Sequence, residues 1–173
     1  AIKYLEQALK QNPNSSSALS IVGDAYNQKG DHDLAINYLE RAISLDPDNA
    51  IAHFSMGSAL HDKGDHKAAI KSYKNAIKIK PDYAEAYSNL GTSLIEEGDL
   101  KLAINNFKKA RKIQPDHAEI IFNLGVAQKD IGDLDDAINS YQQAIKIKPD
   151  YADAHYNLGT ALRYKGDIDA AII

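Results

Sequence analysis

Residues 84–117 read AEAYSNLGTSLIEEGDLKLAINNFKKARKIQPDH, and these thirty-four positions decide the fold. In the first half Ala86, Leu90, Leu94 and Ile95 recur at helical spacing. Leu102, Ala103, Phe107 and Ala110 do so in the second. Gly98 is free to take the left-handed conformation that ends a helix, and Asp99 is placed to cap the next. Pro115 lacks an amide hydrogen and pushes its predecessor out of helical geometry, so the second helix must stop before it. Asp82 with Glu85, and Asp116 with Glu119, have capping-box spacing, which predicts Asp82 and Asp116 as N-caps. The stretch is helix, tight turn, helix, tight turn.

Outward from it, the pattern repeats. Pro13, Pro47, Pro81, Pro115 and Pro149 lie 34 residues apart, as do Gly23, Gly57, Gly91, Gly125 and Gly159. Gly30, Gly64, Gly98, Gly132 and Gly166 keep the same period, each followed by an aspartate: Asp31, Asp65, Asp99, Asp133, Asp167. Ala1, Ala35, Ala69, Ala103, Ala137 and Ala171 form one alanine series, and Ala8, Ala42, Ala76, Ala110 and Ala144 another. All ten glycines and all five prolines belong to this single repeat. The units run 16–49, 50–83, 84–117 and 118–151, with partial units at 1–15 and 152–173. An isolated helix of roughly 12–14 residues is marginal in water, so each must bury an apolar stripe on its neighbours. Stacking does this and yields a one-dimensional array with a concave face and no enclosed active-site cavity. The predicted class is all-α, a solenoid of helix–turn–helix repeats.

These residues resemble the tetratricopeptide repeat family over the whole chain. In the third unit the resemblance rests on Tyr87, Leu90-Gly91, Leu94, Ala103, Phe107, Ala110 and Pro115. His53 and His155 depart from it where a bulky apolar residue is usual, and Gln128 where an aromatic or leucine is. The resemblance implies a right-handed superhelix whose first helices line a peptide-binding groove, through the second, fifth, sixth, ninth, twelfth and thirteenth positions of each unit. At the sixth stand Ile21, Ser55, Asn89, Asn123 and Asn157. The three asparagines resemble the ladder in the repeats of O-GlcNAc transferase-like proteins, where an amide that both donates and accepts can hold a peptide backbone. The alternative is tolerated polar residues on a solvated face.

At the fifth position stand Ser20, Phe54, Ser88, Phe122 and Tyr156. Exposed aromatics mark interfaces, or else these rings pack on adjacent helices. Asp24, Asp62, Glu85, Glu96, Glu119, Asp130 and Asp153 fall on groove positions against Lys129 and Arg163, which favours neutral or basic partners. Capping alone would explain Glu85, Glu119 and Asp153. The clamp that some family members use on acidic chaperone tails needs lysines at the second and fifth positions. Ser17, Ile51, Glu85, Glu119 and Asp153 leave none at the second, so chaperone-tail binding is not expected.

Composition narrows the class further. The 173 residues carry a net charge of −4, 25% charged and 44% hydrophobic residues, the balance of an ordinary folded chain and not of a nucleic-acid binder. The lysines of the second helices, such as Lys74, Lys108 and Lys146, read as a solvated convex face. Apolar runs are too short to span a membrane. There are no cysteines, which excludes thiolate chemistry and fits the cytoplasm. No nucleophilic triad, phosphate loop or paired buried carboxylate is visible, so no enzyme activity and no cofactor are expected. Of the six histidines, His32, His53, His61, His66, His117 and His155, none shows a full ligand set. His61 with Asp65 or His66 lacks a third and fourth donor, so no metal site is expected.

The expected function is a protein-interaction module or scaffold that takes an extended or helical peptide segment. One alternative is the substrate-recruiting region of a larger enzyme such as a glycosyltransferase. Another is head-to-tail self-assembly through uncapped ends. The chain opens at Ala1 and closes on Ile172-Ile173 without helix-ending residues, and is expected to be a piece of a longer protein.

Overall fold

The computed structural model describes residues 2–166. Ala1, Asp167, Ala171 and Ile172-Ile173 lie outside the described residues, as does the Ala8 side chain. Among the described residues ten helices follow in order: α1 Ile2–Gln11, α2 Ser16–Gln28, α3 His32–Leu45, α4 Ala50–Asp62, α5 His66–Ile79, α6 Ala84–Glu96, α7 Leu100–Ile113, α8 Ala118–Asp130, α9 Leu134–Ile147 and α10 Ala152–Lys165. Two compact units are distinguished, residues 1–93 and 94–173.

In the first unit α2 pairs with α3 and α4 with α5, while α4 also lies against α3 and α2. Leu9, Leu19, Val22, Tyr26, Leu39 and Met56 form its core around the fully buried Ala35, Ala42, Ala52 and Ala59. In the second unit α8 pairs with α9, α7 lies on α8, and α10 lies on α9. There Ile138, Tyr141 and Ala161 are buried among Phe122, Val126, Leu158 and Leu162. The periodic alanines 69, 76, 103, 110, 137 and 144 are also fully buried. Each stands where a larger side chain would hold the paired helices apart.

The turn inside each hairpin is the one the glycine–aspartate pair implies. Gly98 has φ +80°. Its amide bonds the Ile95 carbonyl at 2.9 Å, and the Asp99 amide bonds Leu94 at 2.8 Å. This is a Schellman closure, which satisfies carbonyls that the helix end would otherwise leave open. Asp99 then stands at the N-cap of α7.

The capping-box expectation is corrected by one residue. The caps before the first helices are Ser15, Asn49, His117 and Tyr151, not Asp116 or its equivalents. α6 likewise starts at Ala84, with the Tyr83 carbonyl accepting from the Tyr87 amide at 3.1 Å. The reason is the turn before it. The Tyr83 amide bonds the Lys80 carbonyl at 3.2 Å, placing Pro81 and Asp82 at the two central positions of a β-turn. Asp82 belongs to the turn, and the helix begins later.

The departures from the repeat pattern find polar partners. Gln128 is 4% exposed; its Oε1 accepts from Ser140 Oγ at 2.7 Å and its Nε2 donates to Asp136 at 3.3 Å. Both ends of the buried amide are therefore bonded, which tethers α8 to α9. His53 and His155 donate from Nε2 to the carbonyls of Pro47 and Pro149, at 3.0 and 2.9 Å. Each ties the start of a first helix back to the preceding turn.

Candidate functional site

The groove positions lie on α2, α4, α6, α8 and α10, and the structure gathers some of them around two tyrosines outside the expected set. In the first unit the Phe54 ring lies 4.9 Å from that of Tyr83 and 5.8 Å from that of Tyr73, centroid to centroid. Lys80 Nζ sits 4.6 Å from the Tyr83 ring centroid, a cation–π distance. Burial pushes the Tyr83 hydroxyl above its ordinary range, and the carboxylates of Glu85 and Asp24 push it further. Phe54 thus packs on Tyr83, while Asp24 and Glu85, on two further first helices, act on its hydroxyl through their charge.

The second unit repeats the arrangement. Phe122 lies 4.9 Å from Tyr151 and 5.8 Å from Tyr141, and Lys148 Nζ is 5.0 Å from the Tyr151 ring. Burial raises the Tyr151 hydroxyl, with Glu119 and Asp153 adding to the shift. Each unit therefore holds an aromatic pair whose tyrosine hydroxyl is raised by burial and by the charge of two carboxylates. A signal for Tyr83 and Tyr151 does exist in the sequence. Units 50–83 and 118–151 carry Phe at the fifth position and Tyr at the last; units 16–49 and 84–117 carry Ser20 with Asn49 and Ser88 with His117. The two positions vary together because their rings touch.

The remaining predicted groove residues lie on α6, α8 and α10. Asn89 is half-buried on α6. Asn123 is half-buried on α8. Asn157 donates to the Asp153 carbonyl of its own helix at 2.9 Å. Tyr156 is 75% exposed, unlike the half-buried Phe54 and Phe122, whose rings pack into the aromatic clusters. Lys129 lies 3.4 Å from Asp130, and the Arg163 guanidinium is 5.6 Å from the Tyr164 ring.

Below each cluster one tyrosine marks a difference between the units. The Tyr73 hydroxyl bonds Ser58 Oγ at 3.3 Å. Burial lifts it to about 12, and the bond with Ser58 offsets part of the rise. Two repeats on, Val126 replaces Ser58. The Tyr141 hydroxyl is buried with no hydrogen-bond partner among the described residues, and burial beside Asp130 pushes it up as well. An unpaired buried hydroxyl carries a desolvation penalty of about 1–3 kcal/mol. Tyr141→Phe is therefore expected to be neutral or to stabilise by about 1 kcal/mol, whereas Tyr73→Phe should cost about 0.5–1.5 kcal/mol. Urea denaturation of the two variants checks the opposite signs.

The family model described as TPR repeat matches residues 23–64, 57–95, 91–132 and 129–166, and one described as Tetratricopeptide repeat matches 1–43. The chain belongs to the tetratricopeptide repeat family, a family of protein–protein interaction scaffolds. Among solved structures it is similar to MamA, at 30% identity and TM-score 0.82 over 87% of this chain and 88% of that one. It is also similar to YrrB, described as a TPR protein with an unusual peptide-binding site, at 23% identity and TM-score 0.81 over 99% and 88%. The Cut9–Hcn1 hetero-tetramer of the APC/C gives 23% identity and TM-score 0.85 over 98% of this chain but 34% of the other. No curated protein matches the sequence. The fold is thus an α-solenoid of paired helices. No helix among the described residues is long and apolar enough to cross a membrane.

Proposed function

We propose that this chain binds an extended or helical peptide segment of a partner protein along the face made by its first helices, with neutral or basic segments favoured. The observation that carries the reading is the aromatic pair Phe54–Tyr83, repeated as Phe122–Tyr151, with the charge of Asp24 and Glu85 acting on Tyr83 and that of Glu119 and Asp153 on Tyr151. Rings give an incoming aliphatic or aromatic side chain a flat apolar surface. The carboxylates add a field that attracts Lys and Arg and repels acidic residues. Asn89, Asn123 and Asn157 supply amides for the ligand backbone, Asn157 exchanging its intrahelical bond for one to the peptide. Tyr156, Lys129 and Arg163 extend the contact surface. YrrB, which shares the fold, is described as having a peptide-binding site. The protein acts without catalysis, and its lack of cysteine suits the cytosol.

A random-peptide library selected on the wild-type chain tests this, followed by fluorescence anisotropy of the selected peptides. Basic or neutral sequences are expected to win. Asp24→Asn with Glu85→Gln should weaken them about tenfold, roughly 1.4 kcal/mol, and salt should do the same. Selection of acidic peptides, or equal binding by the double variant, would rule out the charge preference. Binding unchanged in Asn89→Ala/Asn123→Ala/Asn157→Ala would remove the asparagines from the site.

A further inference from the structure

His61, near the end of α4, and His66, at the start of α5, face each other across the Gly64–Asp65 turn. Their Nδ1 atoms are 3.3 Å apart, and the rings meet edge to face with centroids 4.9 Å apart. Ser93 Oγ of α6 lies 3.0 Å from His61 Nδ1. The preceding repeat shows where this geometry comes from. There the same two positions hold Asn27 and His32, with Asn27 Oδ1 2.7 Å from His32 Nδ1. The hairpin brings these two positions within bonding distance in both repeats. Later repeats place Ile95 with Leu100 and Lys129 with Leu134 there, so unit 50–83 alone of these four sets two imidazoles face to face.

We propose that His61 and His66 chelate a borderline divalent transition metal, zinc, nickel or copper, through their Nδ1 atoms, with the Ser93 hydroxyl beside it. Two neighbouring ligands of a tetrahedral centre with metal–nitrogen bonds of about 2.0–2.1 Å stand about 3.3 Å apart, the separation found here. Neutral imidazole suits these metals, whereas magnesium and calcium seek carboxylate oxygens. In the metal-free pair the Nδ1–Nδ1 hydrogen bond requires one ring to carry its proton on Nδ1. On metal binding that proton moves to Nε2, so both Nδ1 lone pairs face the ion. The nearby carboxylates are engaged elsewhere. Asp62 accepts from Asn27 Nδ2 at 2.7 Å and Asp65 caps the Ala68 amide at 3.1 Å. Among the described residues no group of three or more His, Cys, Asp or Glu gathers. Water therefore completes the coordination, and the site binds more weakly than a closed four-ligand centre.

The test is calorimetric titration of ZnCl2 into the chain, with melting curves recorded with and without the ion. Wild type should bind one equivalent and melt higher with zinc. His61→Asn recreates the Asn27/His32 pair and should keep the helical circular dichroism while losing at least tenfold in affinity and the zinc-induced shift. His155→Ala should retain both. With copper, electron paramagnetic resonance should show coupling to two imidazole nitrogens, reduced to one in His61→Asn. No heat and no melting shift in wild type would overturn the site, as would equal affinity in folded His61→Asn, or a loss produced by His155→Ala.

Discussion

Alanine in place of Tyr73 is expected to lower stability by about 3–5 kcal/mol, the range for truncating a large buried aromatic. The ring is 1% exposed and fills the space between α4 and α5. Phe54 lies on one side of it, and the bare backbone of Gly57 lies so close that a Cβ there would be 2.6 Å from the ring. The loss includes a cavity as well as a transfer component. Repeats interact mainly with their neighbours, so the damage should stay local. Hydrogen exchange should show α4 and α5 amides losing protection first, with α8 and α9 close to wild type. Uniform loss across all helices would mean that the chain unfolds as a single cooperative block.

The mirror-image change, Gly57→Ala, is expected to cost about 1–3 kcal/mol despite the better helix propensity of alanine. Propensity alone would stabilise by about 1 kcal/mol. The added Cβ would however meet Tyr73 Cδ1 and Cε1 at 2.6 Å and Cζ at 2.9 Å, about 1 Å inside normal carbon–carbon contact. A fully packed ring cannot rotate away, so overpacking wins. Gly125 faces the Tyr141 ring in the same way, at 2.7 Å, and its alanine variant should behave alike. A double-mutant cycle separates the causes. In a Tyr73→Ala background the clash vanishes, and Gly57→Ala should become neutral or stabilising. An unchanged cost in that background would place the strain in the backbone.

The same glycines explain why the fold was legible in the sequence. Gly57 and Gly125 mark close approach, Gly64 and Gly98 mark left-handed turns, and prolines such as Pro81 end the second helices. These are backbone constraints that few other residues meet, so a 34-residue period in them fixes the architecture. The caps were off by one because spacing alone does not distinguish an aspartate inside a Pro-Asp turn from one at the helix start. The candidate site was only half legible. Residue positions place Asp24, Phe54 and Glu85 on first helices, but Tyr83 lies in the turn before α6, where helical periodicity assigns no face. Its contact with Phe54 shows only as paired variation, Phe with Tyr and Ser with Asn or His. The imidazole pair is visible in the sequence as His61 with His66, but its closeness is not. His61 and His66 sit on opposite sides of a turn, and their distance depends on a backbone reversal that residue spacing does not measure.

The central claim is that the first helices carry the binding surface. The most direct test is the nuclear magnetic resonance shift map of the labelled chain with a peptide selected by it. The expected result is that perturbed amides cluster on α2, α4, α6, α8 and α10 and on the turns holding Tyr83 and Tyr151, with the indicated amides weakened in the triple asparagine variant. Shifts confined to the second helices α3, α5, α7 and α9 would contradict it and place recognition on those helices instead.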